Sequence, residues 1–382
     1  MVGLTPKILA RNMSDHIVPS EQFEDLLIAG VPFLDVRAEV EFAKGHFPTS
    51  TNIPILRDDE RQVVGTCYKE KGREAAVELG HSLVTGATKD QRIQAWCDFV
   101  KTNPNTHIYC WRGGMRSNYA REWIAESGID IPLIDGGFKA LRRVIIDEVN
   151  DAADRVPIVR IGGKTGTAKT VLVNAVEFST DLEGHANHRG SSFGRRVSGV
   201  PTQVDFENAL GIDLLRKRRQ FPDRTLVVED EGRRIGSNTI PQDFYDKMHD
   251  AGVAMVEMPM EFRVQRIAQE YVIEMTQEFL DAHPTDGWEL FVDYLTQSLV
   301  RVQKRLGLEN YKRIAALMDA ALRQQDEHGE TSAHEAWILA MLTDYYDPMY
   351  AYQLEKQPNK IVFQGNYDDV LEWAIDKSLS IR

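Results

Sequence analysis

Three cysteines in 382 residues give no even, closely spaced set from which a disulfide framework could be built. Cys67, Cys97 and Cys110 are therefore expected as free thiols in a reducing, cytoplasmic setting. No apolar run reaches the roughly 20 residues that a membrane-spanning helix needs, so no membrane partner is expected. The opening stretch MVGLTPKILARNMSDH lacks the apolar core of a secretory signal. No internal repeat or low-complexity tract is found. No Cys/His grouping has zinc-ligand spacing, so no tightly bound metal is expected. Positive charge is in deficit, with 45 Lys and Arg against 58 Asp and Glu and a net charge of −13. That balance excludes a protein that coats nucleic acid non-specifically. Basic residues occur instead in islands: RKRR at 216–219, GRR at 194–196 and 232–234, and Arg142-Arg143. Each island reads either as a solvated helix face or as part of a focused basic groove on an acidic body.

The composition is that of a globular chain, 42% hydrophobic and 27% charged. Its length points to more than one core. In the first part, the short apolar stretches VPFLDVR, TNIPI, HIYC and IPLIDGG alternate with helical patterns at 18–30, 69–101, 117–128 and FKALRRVIIDEVN. Ser20 is expected to cap the first helix, and Gly30 and Gly128 to stop theirs. Strands alternating with helices imply a parallel sheet covered by helices. A boundary is expected near DAADRVP (151–157), after which the pattern restarts with PIVRIGG, a glycine loop, and the strands TLVVEDE and VAMVEMP. From about Trp288 to Lys356 the chain reads as helical, followed by the strand KIVFQG. The division expected is 1–150, 151–285 and a mainly helical extension 286–382 packed on the second domain.

Cys110 ends an apolar strand and opens the loop CWRGGMR before a helix. Loop amides turned toward the sulfur, the positive end of the helix, and Arg112 and Arg116 would all favour thiolate. Gly113 and Gly114 permit a tight cradle. A cysteine followed by five residues and an arginine fits two chemistries, sulfur or selenium transfer and phosphate-ester hydrolysis. Cys97 lies on an amphipathic helix as a core residue. Cys67 is a candidate partner for an intermediate on Cys110.

The second loop, Gly163-Lys164-Thr165-Gly166-Thr167-Ala168-Lys169-Thr170, matches the phosphate-binding pattern between strand and helix at every position but one. Ala168 stands where glycine is expected, a replacement tolerable if its φ stays negative. Lys169 would reach terminal phosphates and Thr170 a Mg²⁺ ion. Glu229, Asp230 and Glu231 follow an apolar strand, as the acidic partner element of such loops does. Glu229 and Asp230 are the candidates to face that ion or its waters.

The stretch FLDVRAEVEFAKGHFPTSTNIP, the cysteine loop and LIDGGFKAL together resemble the rhodanese pattern over about residues 15–148. With the phosphate loop behind it, and with GTCYKEKGREAAVELGH, DLEGHANHRGSSFG, EDEGRRIGSNTIP and YYDPMYAYQLEK in order, the whole chain resembles the tRNA 2-selenouridine synthase family. The one departure is Ala168, which bears on phosphate affinity.

This resemblance implies an α/β fold, with a rhodanese-like domain followed by a P-loop domain. It also implies an activity on tRNAs for Lys, Glu and Gln, in which selenium from selenophosphate replaces the sulfur of 2-thiouridine at the wobble position. Geranyl diphosphate is the co-substrate for an S-geranyl intermediate. The P-loop would then hold the diphosphate, and Cys110 would carry or position selenium, with Arg112 and Arg116 on the anionic donor. The anticodon loop needs aromatic platforms and cations. The candidates for that contact, or for the prenyl site, are His188, Arg189, Ser191, Ser192 and Arg195, with Arg216 and Arg219 as phosphate contacts. Tyr345, Tyr346 and Tyr350 read as packing residues. The competing readings are a sulfurtransferase regulated by a nucleotide domain, an ATPase with an inert first half, and a phosphatase.

Overall fold

Short runs of β-branched and aromatic residues flanked by glycine and proline are buried on both faces, which suits the interior of a parallel sheet. The computed structural model describes residues 17–355 and 360–379. The opening stretch and the end of the expected long helical region at Lys356 lie outside those residues. By contacts the chain divides into two compact units, 1–148 with 207–215, and 149–206 with 216–382.

The first unit is built on five strands: β1 (Ile17–Val18), β2 (Phe33–Asp35), β3 (Ser50–Asn52), β4 (His107–Tyr109) and β5 (Leu133–Ile134), in the order β1-β5-β4-β2-β3. Every neighbouring pair is parallel. Helices cover the sheet, and Leu34, Trp96, Ile108 and Ile124 form its core, each fully buried. The helix expected over 69–101 is two helices, Asp58–Leu83 and Gly86–Thr102. The first is itself broken at Gly72, where φ is 86° and ψ is −174°. A side chain would disfavour that conformation. Ser20 does not cap a helix: it begins a short 3₁₀ turn, Ser20–Gln22, ahead of the helix Phe23–Ala29, which Gly30 ends in a left-handed conformation.

The second unit carries β6 (Ile158–Gly163), β7 (Ser179–Thr180), β8 (Leu226–Glu229), the antiparallel pair β9 (Arg234–Ile235) and β10 (Asn238–Thr239), β11 (Gly252–Val256) and β12 (Ile361–Gly365). Its main sheet runs β12-β11-β6-β8-β7, all parallel. A helical array from Met260 to Glu355 has its own core around Phe291, Leu295, Ile314 and Trp337. Two of its helices pass through a turn of π-helix, at Gln269–Ile273 and Leu342–Tyr346.

The boundary expected near DAADRVP lies close to the division at 148/149, and the DAADR stretch is helical. The helix Gly137–Arg155 runs through it. Ala152 and Ala153 are buried there, and Asp151 and Arg155 pair at 3.0 Å one turn apart, a spacing that supports a helix.

Candidate functional site

In the first unit, the turn after β5 packs beneath the cysteine loop. Phe138 N and Lys139 N donate to the carbonyls of Cys110 and Trp111 at 2.9 and 3.0 Å. Gly137 has a φ of 60°, and a Cβ there would lie 2.4 Å from both Cys110 O and Gly113 N. The later Asp-Gly-Gly sequence is thus the floor on which the cysteine loop rests. Beside it, the Asp-x-Arg pair forms a fully buried ion pair, Asp35 to Arg37 at 2.6 Å, with Arg37 also donating to Gly45 O. This pair ties the end of β2 to the next loop.

Cys110 is 3% exposed. Its Sγ accepts a hydrogen bond from Ser117 Oγ at 3.2 Å and lies 3.9 Å from Gly114 O. Amides of the loop were expected at the sulfur, but its hydrogen-bond partners among the described residues are the Ser117 hydroxyl and the Gly114 carbonyl. Arg116 is committed to Glu41 through two hydrogen bonds, at 2.5 and 3.1 Å. Burial opposes both charges, but the pair overcomes it, holding Glu41 below and Arg116 above their ordinary ranges. Arg112 is exposed, without an ion pair among the described residues, on a mainly apolar cavity of about 760 Å³ that Cys110 also lines. Gly114 and Arg116 line it too. Cys97 belongs to the core. Cys67 is partly buried, and its neighbours Thr66 and Tyr68 line the cavity while Cys67 does not.

In the second unit, β6 leads through residues 164–168 into the helix Lys169–Ala175, a strand–loop–helix placement suited to anions at the helix start. Ala168 has φ 63° and ψ 33°, a left-handed conformation, contrary to the negative φ expected. The glycine geometry is kept with an alanine in it, at a strain of about 1–2 kcal/mol. Lys169 Nζ donates to Gly163 O at 3.0 Å, and Thr167 Oγ1 to Lys164 O at 2.9 Å. Distant residues brace the loop. Arg263 donates to Thr165 O at 2.8 Å and pairs with Asp347 at 2.5 Å, while Lys164 meets Asp347 at 3.3 Å. Gly163 N donates to the Tyr350 hydroxyl at 2.8 Å.

The acids after β8 separate. Asp230, expected to face an ion at the loop, turns instead to the buried Arg160 at 2.6 Å. Glu231 lines the loop's cavity, of about 370 Å³, with Lys169 and Thr170. Glu229 is 1% exposed. Its Oε2 accepts from Leu182 N and Glu183 N at 3.0 and 3.2 Å, and its Oε1 has no partner among the described residues. Thr170 Oγ1 donates to Glu183 Oε2 at 3.1 Å. Burial, with Glu183 and Asp181 nearby, pushes Glu229 up to about 8. Burial and then Glu183 push Glu231 well above the usual carboxylate range, and burial raises Glu183 as well.

His188, Arg189 and Ser191 line this cavity; Ser192, Arg195, Arg216 and Arg219 do not. His188 is 8% exposed and packs on Gly236, and burial lowers its pKa. Arg189 is buried over the Tyr271 ring at 5.3 Å, near Glu274 at 3.5 Å. Ser191 Oγ donates to Tyr271 at 3.0 Å, and Ser192 Oγ shares a hydrogen bond with Tyr346 at 2.7 Å. Arg195 is exposed, and Arg216 and Arg219 sit exposed on the helix Gln203–Gln220. Sequence reading missed Glu183, Arg263, Asp347 and the bracing role of Tyr350. The EGH of DLEGHANHRG was the one available signal for Glu183. Asp347 and Tyr350 lie in the quoted stretch YYDPMYAYQLEK, which did not show their contact with the loop, and Arg263 carried no signal.

A cysteine cradle at a strand end on one parallel sheet and a strand–loop–helix phosphate cradle on a second define a two-domain α/β protein of rhodanese-like and P-loop type. Residues 20–143 match the rhodanese-like domain, and residues 156–380 match the tRNA 2-selenouridine synthase AAA domain. The chain is 44% identical to a tRNA 2-selenouridine synthase of Photobacterium profundum, an alignment covering 94% of this chain and 98% of that one. It is 45% identical to proteins of the same name from Pseudomonas fluorescens, over 93% and 98% of the two chains, and Bordetella petrii, over 94% and 96%. The chain belongs to the tRNA 2-selenouridine synthase family.

Proposed function

We propose that this protein modifies tRNA, replacing the sulfur of wobble 2-thiouridine with selenium from selenophosphate by way of an S-geranyl intermediate. The observation that carries the reading is the pair of loops: a cysteine lining an apolar cavity with an arginine that has no ion pair among the described residues, and a phosphate cradle with its lysine in place. In the first step the thiocarbonyl sulfur attacks C1 of geranyl diphosphate. The C–O bond breaks, and diphosphate leaves with the electron pair. Amides of residues 164–170 and Lys169 take up that charge. A Mg²⁺ ion accompanying the diphosphate would meet Thr170 Oγ1, which already faces Glu183, with Glu231 on the same cavity.

In the second step selenium of selenophosphate attacks C2. The C2–S bond breaks, geranyl thiolate leaves and takes a proton, and water cleaves the P–Se bond to release phosphate. Cys110 positions the donor, with Arg112 as the cation for its phosphoryl group. A Cys110–selenium bond formed from thiol and selenophosphate would need an oxidant; positioning needs none. The tRNAs are those for Lys, Glu and Gln, and the protein works in the cytoplasm.

The test is nucleoside mass spectrometry of tRNA bearing 2-thiouridine, incubated with geranyl diphosphate and selenophosphate separately and then together. A geranyl adduct with the first donor, and selenium in place of sulfur with both, are expected. Lys169→Ala should lose the adduct, and Cys110→Ser should keep it and lose selenium. Unchanged tRNA alongside consumption of thiosulfate would replace this reading with a sulfurtransferase.

A further inference from the structure

The two cavities differ in character. The one at the phosphate loop is about 370 Å³ and mainly polar, faced by Lys169, Glu183, Glu231 and Arg266. It suits a diphosphate and offers little to a hydrocarbon. The one at Cys110 is about 760 Å³ and mainly apolar, within the roughly 300–1,000 Å³ of ordinary small-molecule sites. Its wall is the broken helix Asp58–Leu83, which contributes Val64 on one side of the Gly72 break and Ala76 and Val77 on the other. Tyr119 and Trp123 add aromatic surface to the lining. Lys69 and Arg112 are exposed on it, without ion pairs among the described residues. A site for selenophosphate alone needs cations and amides; it does not need an apolar chamber of this size.

We infer that the cavity beside Cys110 is the receptor for the geranyl chain of the S-geranyl-2-thiouridine intermediate. The inference rests on the proposed function and adds the place where its second step occurs. The chain fills the apolar chamber while Lys69 and Arg112 face the flanking phosphates and the selenium donor. The thioether carbon C2 then lies at the cavity floor with Cys110. Discrimination follows: an S-alkyl group too small to fill the chamber binds less well, and the leaving thiol is held away from water until it departs.

The experiment uses the full chain and two synthetic anticodon stem-loops, one carrying S-geranyl-2-thiouridine and one S-methyl-2-thiouridine. Equilibrium binding and selenophosphate-dependent selenation are measured on both. The wild type is expected to favour the geranyl ligand at least about tenfold, since even one methylene in an apolar pocket is worth about 10–200-fold. Val77→Trp, which fills the chamber, should erase most of that preference, with the S-methyl ligand as the internal reference. If Val77→Trp does not fold, as judged by circular dichroism, Val64→Trp makes the same test from the other side of the break. A wild type indifferent to chain length, or a preference that survives in the folded variant, overturns the inference. If neither stem-loop is selenated, the proposed function fails, and the binding ratios still decide whether the cavity takes the chain.

Discussion

Ala168 holds a left-handed backbone that its sequence position called for and its side chain resists. Ala168→Gly should relieve the strain but add freedom to the unfolded chain, for a net gain of at most about 1 kcal/mol in urea unfolding. Ala168→Val should cost about 1–3 kcal/mol, because a β-branched residue fits that region worst. The alanine itself was plain in the sequence. Its φ was expected to stay negative, yet the loop keeps the left-handed geometry of the glycine position. A second residue-scale effect concerns protons. Glu229, raised to about 8, stays protonated in the folded chain where the unfolded chain has lost the proton. Its contribution to stability is full below its ordinary value of 4.5 and is lost as pH rises toward about 8. His334, buried and lowered to about 4, acts oppositely, but only below 6.5. Between pH 6.5 and about 8 the wild type should therefore lose stability, and Glu229→Gln should flatten that slope in melting temperatures taken across the window.

At the scale of elements, what the sequence displayed was the local half of each site: an apolar strand, a glycine-bearing loop and the start of a helix. The supporting half arrives from elsewhere in the chain. Arg263, on the helix Met260–Ala268, reaches Thr165 O and Asp347, and Tyr350 reaches Gly163 N. No periodicity marks such partners, because each is an ordinary polar residue on a helix until the fold brings it to the loop. Arg263→Ala would leave Asp347 without its principal partner beside the phosphate loop. Asp347 is partly exposed and keeps Lys164, so a loss of about 1–3 kcal/mol is expected, with pyrophosphate binding, followed by calorimetry, weakened in any protein that remains folded. In the first unit the equivalent support is the turn beneath the cysteine loop. Gly137→Ala would force backbone apart at two contacts of 2.4 Å. It should cost about 2–4 kcal/mol and speed alkylation of Cys110, read by mass spectrometry.

At the scale of the molecule, four long segments of unusual sequence pointed to one family where either loop alone would have served several chemistries. The secondary-structure boundaries were less legible. The helix Gly137–Arg155 continues through the stretch where a boundary was expected, because two alanines are buried there. A ligand read by the phosphate loop should also be visible globally. Inorganic pyrophosphate at about a hundred times its Kd should add about 2.7 kcal/mol to unfolding, and Lys169→Ala should abolish the gain.

The two π-helical turns carry a consequence of their own. Tyr271 and Tyr346 sit one in each, and their hydroxyls meet Ser191 and Ser192, adjacent residues of a single loop. A π turn is what an α-helix becomes when it accommodates one residue too many. The turn absorbs that residue, so deleting it from either helix would restore regular winding, leave the flanking helix in phase and shift the side chains within the turn itself. Chain length in these helices is therefore counted to the single residue. A one-residue deletion there would move the tyrosine away from its serine.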